Sequence, residues 1–139
     1  MLRRFSLAAA FAAVLLTGAQ TTTAQRTLSL KDTPAAFRTF YKNFAVTVKR
    51  GRIDLLAGMT NFPFKYGFDA GDEGVWTKKQ FLKKANRFLI PRPPVFTDDD
   101  PEFTVSNGVY TLAQDVDASY YTFKKKGGVY KWVSYIVEP

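Results

Sequence analysis

The sequence predicts an α+β domain in which two or three N-terminal helices pack on a curved antiparallel sheet. Aromatic residues recur at helical spacing between Phe37 and Val48, which is typical of a helix that buries one face. The stretch 118–137 consists of two β-rich runs joined by Gly127-Gly128, which indicates a hairpin. Another turn, at Asn107-Gly108, precedes it, so the C-terminal half is predicted to be a four-stranded meander. The predicted element order is α-α-β-α-β-β-β-β.

The first residues have the composition of a secretory leader. Arg3-Arg4 is followed by an apolar run and then by small residues that permit cleavage after Ala19 or Ala24. The apolar run is shorter than the roughly 20 residues that span a bilayer, so we expect cleavage and no stable membrane insertion afterwards. We therefore predict a signal peptide over 1–24 and a single domain over 25–139, exported to the periplasm or secreted.

The chain is basic and contains neither histidine nor cysteine. Its formal charge is +8; without Arg3 and Arg4, 18 basic residues remain against 12 acidic ones, or +6. The absence of histidine excludes catalytic triads and zinc sites that depend on it. The absence of cysteine means that an exported domain has to be stable through its core alone. The positive charge is compatible with a solvated surface or with an anionic partner.

Two helices are predicted before the first strand. The first extends from about Pro34 to Arg50 and starts at Asp32-Thr33-Pro34, a capping side chain followed by proline near the first helical position. It ends at Gly51, because glycine readily adopts the left-handed conformation that closes a helix. A short second helix is predicted over 53–58, with Leu55 and Leu56 directed inward.

The third helix is predicted over 77–90, where Thr77 and Gln80 form a capping box. Its expected buried stripe consists of Phe81, Leu82, Ala85, Phe88 and Leu89. Its remaining faces carry Lys78, Lys79, Lys83, Lys84 and Arg87. Such a basic face is either a solvated helix back or a surface for an acidic partner, with Lys79, Lys83 and Lys84 as the candidates.

The strands are predicted from alternation and from turns. Residues 25–30 are expected to be a polar lead-in, 59–68 a strand and 69–74 a loop. Pro63 has no amide hydrogen, so the strand that contains it should lie at an edge or be bulged. In the hairpin, we expect Phe123 opposite Trp132, Tyr121 opposite Ser134 and Lys124 opposite Lys131.

Four carboxylates stand within the five residues Asp98–Glu102. Calcium prefers oxygen ligands, but the run lacks the alternation and the glycine of a calcium-binding loop. We therefore expect an acidic surface turn, and the sequence predicts no metal site and no cofactor.

These features resemble the nuclear transport factor two-like superfamily of cone-shaped α+β barrels, which includes ketosteroid isomerase. The resemblance covers most of the mature chain and is greatest with small exported bacterial members of unassigned function. It is carried by the aromatic first helix, Asp54-Leu55-Leu56 leading into Phe62-Pro63-Phe64, the helix opened by Trp76-Thr77, and the closing meander. A cystatin-like helix on a sheet is the alternative fold.

The resemblance implies a cone whose wide end holds an apolar ligand or is filled by side chains. Members with isomerase or dehydratase activity place acidic, Tyr or His groups in the cone. This chain has no histidine, and no pair of carboxylates falls on predicted inward strand positions. The resemblance also implies a homodimer through the open face of the sheet, on which Tyr120, Val133 and Tyr135 are expected.

Three functions follow. The first is a non-enzymatic binding module for a small apolar molecule or a protein, whose pocket candidates are Phe62, Tyr66, Tyr121 and Trp132, although core packing is the commoner use of such residues. The second is an isomerase- or hydrolase-type enzyme, for which Tyr66 with Asp69 or Asp72 is the one local pairing.

The third function is an inhibitor or immunity-type protein that meets an acidic partner. The lysines of the third helix and Lys124–Lys126 would form its contact surface. Nucleic-acid binding is not expected, because the chain carries no helix-turn-helix or RNA-binding motif.

Overall fold

The computed structural model describes residues 24–68, 71–89, 93–115 and 117–138. The predicted signal peptide, apart from Ala24, and Asp69 lie outside this part, as do the side chains of Phe88 and Leu89. The described chain is an α+β domain with three helices, one further helical turn and a seven-stranded, mostly antiparallel sheet. None of the described helices has both the length and the apolar character needed to cross a bilayer.

The helices are α1 (Ala35–Lys49), α2 (Ile53–Gly58), α3 (Lys78–Lys84) and the single turn α4 (Asn86–Leu89). The strands are β1 (Arg26–Ser29), β2 (Thr60–Phe68), β3 (Asp72–Trp76), β4 (Glu102–Ser106), β5 (Val109–Gln114), β6 (Ser119–Lys126) and β7 (Val129–Val137).

The strands are arranged in the order β1-β4-β5-β6-β7-β2-β3, and β2 runs parallel to β7 while all other neighbours are antiparallel. The C-terminal meander is therefore confirmed. The two edge strands are not among the predicted elements: β1 had been expected to be a lead-in and most of β3 a loop. Both are short and polar, and they owe their strand conformation to the neighbour with which they pair rather than to their own residues.

Helix α1 buries Phe37, Tyr41, Phe44 and Val48 on one face, as the spacing predicts. The predicted cap is wrong, because the helix begins after Pro34 and no side chain caps it. Asp32 instead accepts a hydrogen bond from Ser29 Oγ at 2.9 Å in a preceding 3-10 turn. Gly51, with φ of 65°, follows the helix as expected.

The shorter helices bury narrower stripes than expected. In α2, Leu56 is buried but Leu55 is half-exposed, because a helix of six residues presents little more than one position to the core. In α3 the predicted capping box of Thr77 and Gln80 is present. Its stripe is limited to Phe81 together with Ala85, which ends the helix, and Leu82 is exposed, contrary to the prediction.

Strand β2, which contains Pro63, is bulged and does not lie at an edge of the sheet. It lies between β7 and β3, and its register with β7 shifts between Thr60 and Lys65. Pairing with β3 starts only at Phe64, so Pro63 falls where the ladder is interrupted and its missing amide hydrogen costs no bond.

The β6–β7 hairpin changes register in its middle. Phe123 pairs with Trp132 and Lys124 with Lys131, as predicted, but Thr122 pairs with Ser134. Val133 is therefore an extra residue that has no partner of its own on β6. As a result Tyr121 faces Tyr135 and not Ser134, which corrects the predicted pairing.

The bulge also corrects the predicted open face of the sheet. Tyr135 is 4% exposed and belongs to the core, because the extra residue reverses the alternation beyond it. Tyr120 and Val133, the other two residues expected on the open face, are half-buried.

Candidate functional site

The space between α1 and the sheet is filled by aromatic rings. The ring of Phe123 lies 4.9 Å from that of Phe44 and 5.8 to 6.4 Å from those of Phe37, Phe40, Tyr41 and Phe103, measured between centroids. Trp132 continues this cluster towards α3, where it contacts Phe81 at 5.9 Å. Aromatic pairs at such distances contribute stability beyond that of the surface area they bury, so this cluster stabilises the domain.

The four pocket candidates lie in two places. Tyr121 and Trp132 are stacked at 5.9 Å and are completely buried in the core. Phe62 and Tyr66 are half-buried at the β2–β3 side of the sheet, where Phe62 contacts Phe81 at 5.4 Å and Tyr66 stacks on Trp76 at 4.3 Å. The structure therefore joins all four through neighbouring rings, but it does not gather them around one open space.

The pairing of Tyr66 with Asp72 is a surface contact. The Tyr66 hydroxyl donates to Asp72 Oδ1 over 3.4 Å, and the other oxygen of Asp72 lies 3.9 Å from Arg87 Nη1. Each carboxylate in the described residues is exposed or half-exposed. The buried carboxyl with a raised pKa that the enzyme hypothesis calls for is not among them.

A partly buried polar cluster, which the sequence reasoning missed, lies at the end of the β5–β6 connection. Asp117 Oδ1 accepts hydrogen bonds from Ser119 Oγ at 2.6 Å and from Gln114 Nε2 at 3.0 Å. The hydroxyls of Tyr121 and Tyr135 lie close enough to influence each other's ionisation. Burial raises the pKa of both phenols, most strongly that of Tyr121.

This cluster has the character of a structural element. Phenols whose pKa is raised remain hydrogen-bond donors at neutral pH and do not act as bases. Tyr121 and Ser119 are completely buried, so a substrate cannot reach them without opening the core. The one available sequence signal was the polar turn 114–119, which is followed directly by Tyr120-Tyr121.

Asp100 of the acidic run, just before β4, contacts Lys31, just after β1, so it links the neighbouring ends of these two paired strands. Asp100 Oδ1 accepts a bond from the backbone amide of Lys31 at 2.9 Å, and its Oδ2 lies 3.2 Å from Lys31 Nζ. Asp98 Oδ1 accepts from the amide of Asp100. Within the described residues, no group of three or more His, Cys, Asp or Glu side chains is placed to hold a metal ion.

The predicted basic residues lie on α3 and, for Arg87, on α4, and they differ in their contacts. Lys84 Nζ lies 5.8 Å from the centroid of the Trp76 ring, and Arg87 lies 5.9 Å from that of Phe68. Lys79 and Lys83 are exposed and form no ion pair with a described carboxylate. These two side chains are free to contact a partner.

An open groove lies between α1 and the tip of the β6–β7 hairpin, and we call it the helix–hairpin groove. Its volume is about 320 Å³. One side consists of Ala36, Thr39, Phe40 and Asn43 of α1, the other of Lys125, Gly128, Val129 and Tyr130 of the hairpin, and Met59 completes it. Most of these side chains are apolar, so the groove offers a small apolar molecule a partly enclosed surface.

The two sides of the groove are fixed relative to each other. Lys131 Nζ donates to the carbonyl of Gly58 at 2.6 Å, and the amide of Trp132 donates to the carbonyl of Met59 at 2.8 Å. The ring of Phe40 packs 6.1 Å from that of Tyr130. Because the hairpin is tied to the end of α2, the groove is formed without a ligand.

Comparison of this chain with models of protein families, with curated proteins and with solved structures finds no significant match.

Proposed function

We propose that this chain is an exported, non-enzymatic binding module that holds a small apolar molecule in the helix–hairpin groove. The observation that carries the proposal is the contrast between a filled interior and an open apolar groove. Val129 is 55% exposed in that groove, beside half-buried Phe40, Met59 and Tyr130. A volume of about 320 Å³ lies at the lower end of the range usual for ligand sites.

The proposal includes export and a cone-like fold of the nuclear transport factor two-like type. Export is supported by the order of charged, apolar and small residues in the leader. The fold is supported by helices on one face of a C-terminal meander. A cone of that type would receive its ligand inside, whereas here the rings around Phe123 favour the groove outside.

A titration followed by ¹⁵N-resolved NMR tests the proposal. Octanol should shift the backbone amide signals of Gly128 and Val129 in a saturable way, because these residues line the groove. Asn43→Trp fills the groove from the α1 side and should abolish the shifts. Lys42→Trp is the matched control, since Lys42 is the preceding exposed residue on α1 and lines another cleft. Shifts confined to other regions, or unchanged by Asn43→Trp, would contradict the proposal.

The basic face of α3 supports a second candidate function, which is contact with an acidic protein. It is supported by Lys79 and Lys83, whose charges are not neutralised by described carboxylates. A partner held in this way should co-purify at low salt and be lost at high salt. If Lys79→Glu with Lys83→Glu leaves such binding intact, the basic face is not the contact surface.

A further inference from the structure

We propose that the helix–hairpin groove selects anionic amphiphiles, namely molecules with a short apolar chain and a carboxylate, and that Lys125 is the residue that recognises the negative charge. This inference rests on the proposed function, because it concerns the ligand of the same groove.

Lys125 lies where a charged head group would emerge from the groove. It belongs to the part of β6 that pairs with the beginning of β7, directly opposite Tyr130. Its Nζ lies 5.3 Å from the centroid of the Tyr130 ring, so the ammonium group is held over one side of the groove. The apolar part of a ligand would lie against Phe40 and Val129, within reach of this ammonium group.

The charge of the groove has one sign. Among the described residues that line it, Lys125 is the single charged side chain, and the remaining polar ones, Thr39 and Asn43, are neutral. Lys125 forms no ion pair with a described carboxylate. Lys124 and Lys126 flank it in the sequence and are exposed, so their charges add to the positive potential at the hairpin tip.

This combination distinguishes three kinds of ligand. An alkyl carboxylate gains both apolar burial and attraction to Lys125, whereas an alcohol of the same length gains the burial alone. An alkyl ammonium ion is repelled.

Three ligands of equal chain length test the inference on the purified chain: octanoate, octanol and octylammonium, all below the concentration at which they form micelles. We expect the amide shifts of Gly128 and Val129 to saturate at the lowest concentration with octanoate and at the highest with octylammonium. Lys125→Gln should weaken octanoate binding about threefold, as is usual for an exposed ion pair, and leave octanol binding unchanged. The preference for octanoate should also decrease as salt is added.

Two variants serve as controls. Lys125→Arg keeps the charge and should bind octanoate about as well as the native chain. Lys126→Gln removes a neighbouring exposed charge that does not line the groove, and it should have a smaller effect than Lys125→Gln. Equal losses in Lys125→Gln and Lys126→Gln would overturn the assignment to Lys125.

The outcomes separate the inference from the proposed function. If octanol and octanoate bind equally well, the groove is an apolar site without charge selection, and only the inference fails. If neither ligand shifts the groove amides, the proposed function fails as well. Binding to vesicles of phosphatidylglycerol without binding to octanoate would identify a membrane surface as the target and would likewise overturn the inference.

Discussion

Phe123 lies opposite Trp132 in the β6–β7 hairpin, and neither side chain is exposed to solvent. One residue earlier in β6, towards the base of the hairpin, Thr122 lies opposite Ser134, because Val133 is an extra residue in the ladder. The hairpin thus uses one register for its tip, which borders the groove, and another for its base, which carries the buried tyrosines. This division leads to the first prediction.

The position of the bulge decides which residues of β7 stabilise the domain. Tyr135→Ala should lower the free energy of unfolding by about 3 kcal/mol, because it empties a space in the core. Val133→Ala should lower it by about 1 kcal/mol or less, since Val133 is only half-buried. Urea unfolding followed by circular dichroism measures both values. Equal costs for the two variants would mean that the register is continuous and the bulge is absent.

The contribution of the α3 capping box to stability can be measured separately by substituting Thr77. Thr77→Ala removes the side-chain oxygen that accepts from the Gln80 amide at 3.3 Å, and it should lower the free energy of unfolding by about 1 kcal/mol. Thr77→Ser keeps a hydroxyl at the same position and should cost much less. If alanine and serine are equivalent in chemical denaturation, the capping box does not contribute to stability.

The buried tyrosines predict a loss of stability at alkaline pH. Burial raises the pKa of Tyr41, Tyr121 and Tyr135 above the usual value of about 10. Below about pH 10 these groups are protonated in both states; above it the unfolded chain releases protons that the folded chain retains. The free energy of unfolding should therefore fall as the pH rises above about 10.

Tyrosinate absorbance measures this effect directly. Exposed tyrosines should ionise first, and a late increase in absorbance should coincide with the loss of the circular dichroism signal of the folded chain. Tyr121→Phe should reduce the amplitude of the late phase without changing the early one. A single early phase that includes all tyrosines, with the fold intact, would show that these phenols are accessible.

The predicted signal peptide leads to an expectation about the mass of the mature protein. Expression in a bacterial host should give a shortened chain in the periplasmic or secreted fraction, which begins at Gln20 or at Gln25. Either cut leaves β1, which starts at Arg26, complete. Mass spectrometry of the recovered protein checks the cleavage site. Recovery of the uncut chain in the membrane fraction would contradict the prediction.

The strongly periodic segments could be predicted from the sequence. The buried face of α1, the capping box at Thr77 and the turns at Asn107-Gly108 and Gly127-Gly128 all depend on residues close together in the chain. The edge strands β1 and β3 could not be predicted, because their conformation depends on pairing with β4 and β2. The parallel pairing of β2 with β7 joins distant parts of the chain and has no local signature.

The candidate site was less accessible to prediction than the fold. Aromatic residues such as Tyr121 and Trp132 occur both in pockets and in cores, and only their burial in the structure distinguishes the two uses. The helix–hairpin groove arises where the start of α1 meets the tip of a hairpin about ninety residues later. One unpaired residue, Val133, was enough to move Tyr135 from the expected outer face into the core.

The last strand, β7, lies between β6 and β2 and so joins the first half of the sheet to the second. Strands β6 and β2 can belong to one sheet only when β7 lies between them, because they share no other neighbour. Because the pairing of β7 with β2 joins distant parts of the chain and is parallel, we expect the closing of the sheet to be the slow step of folding.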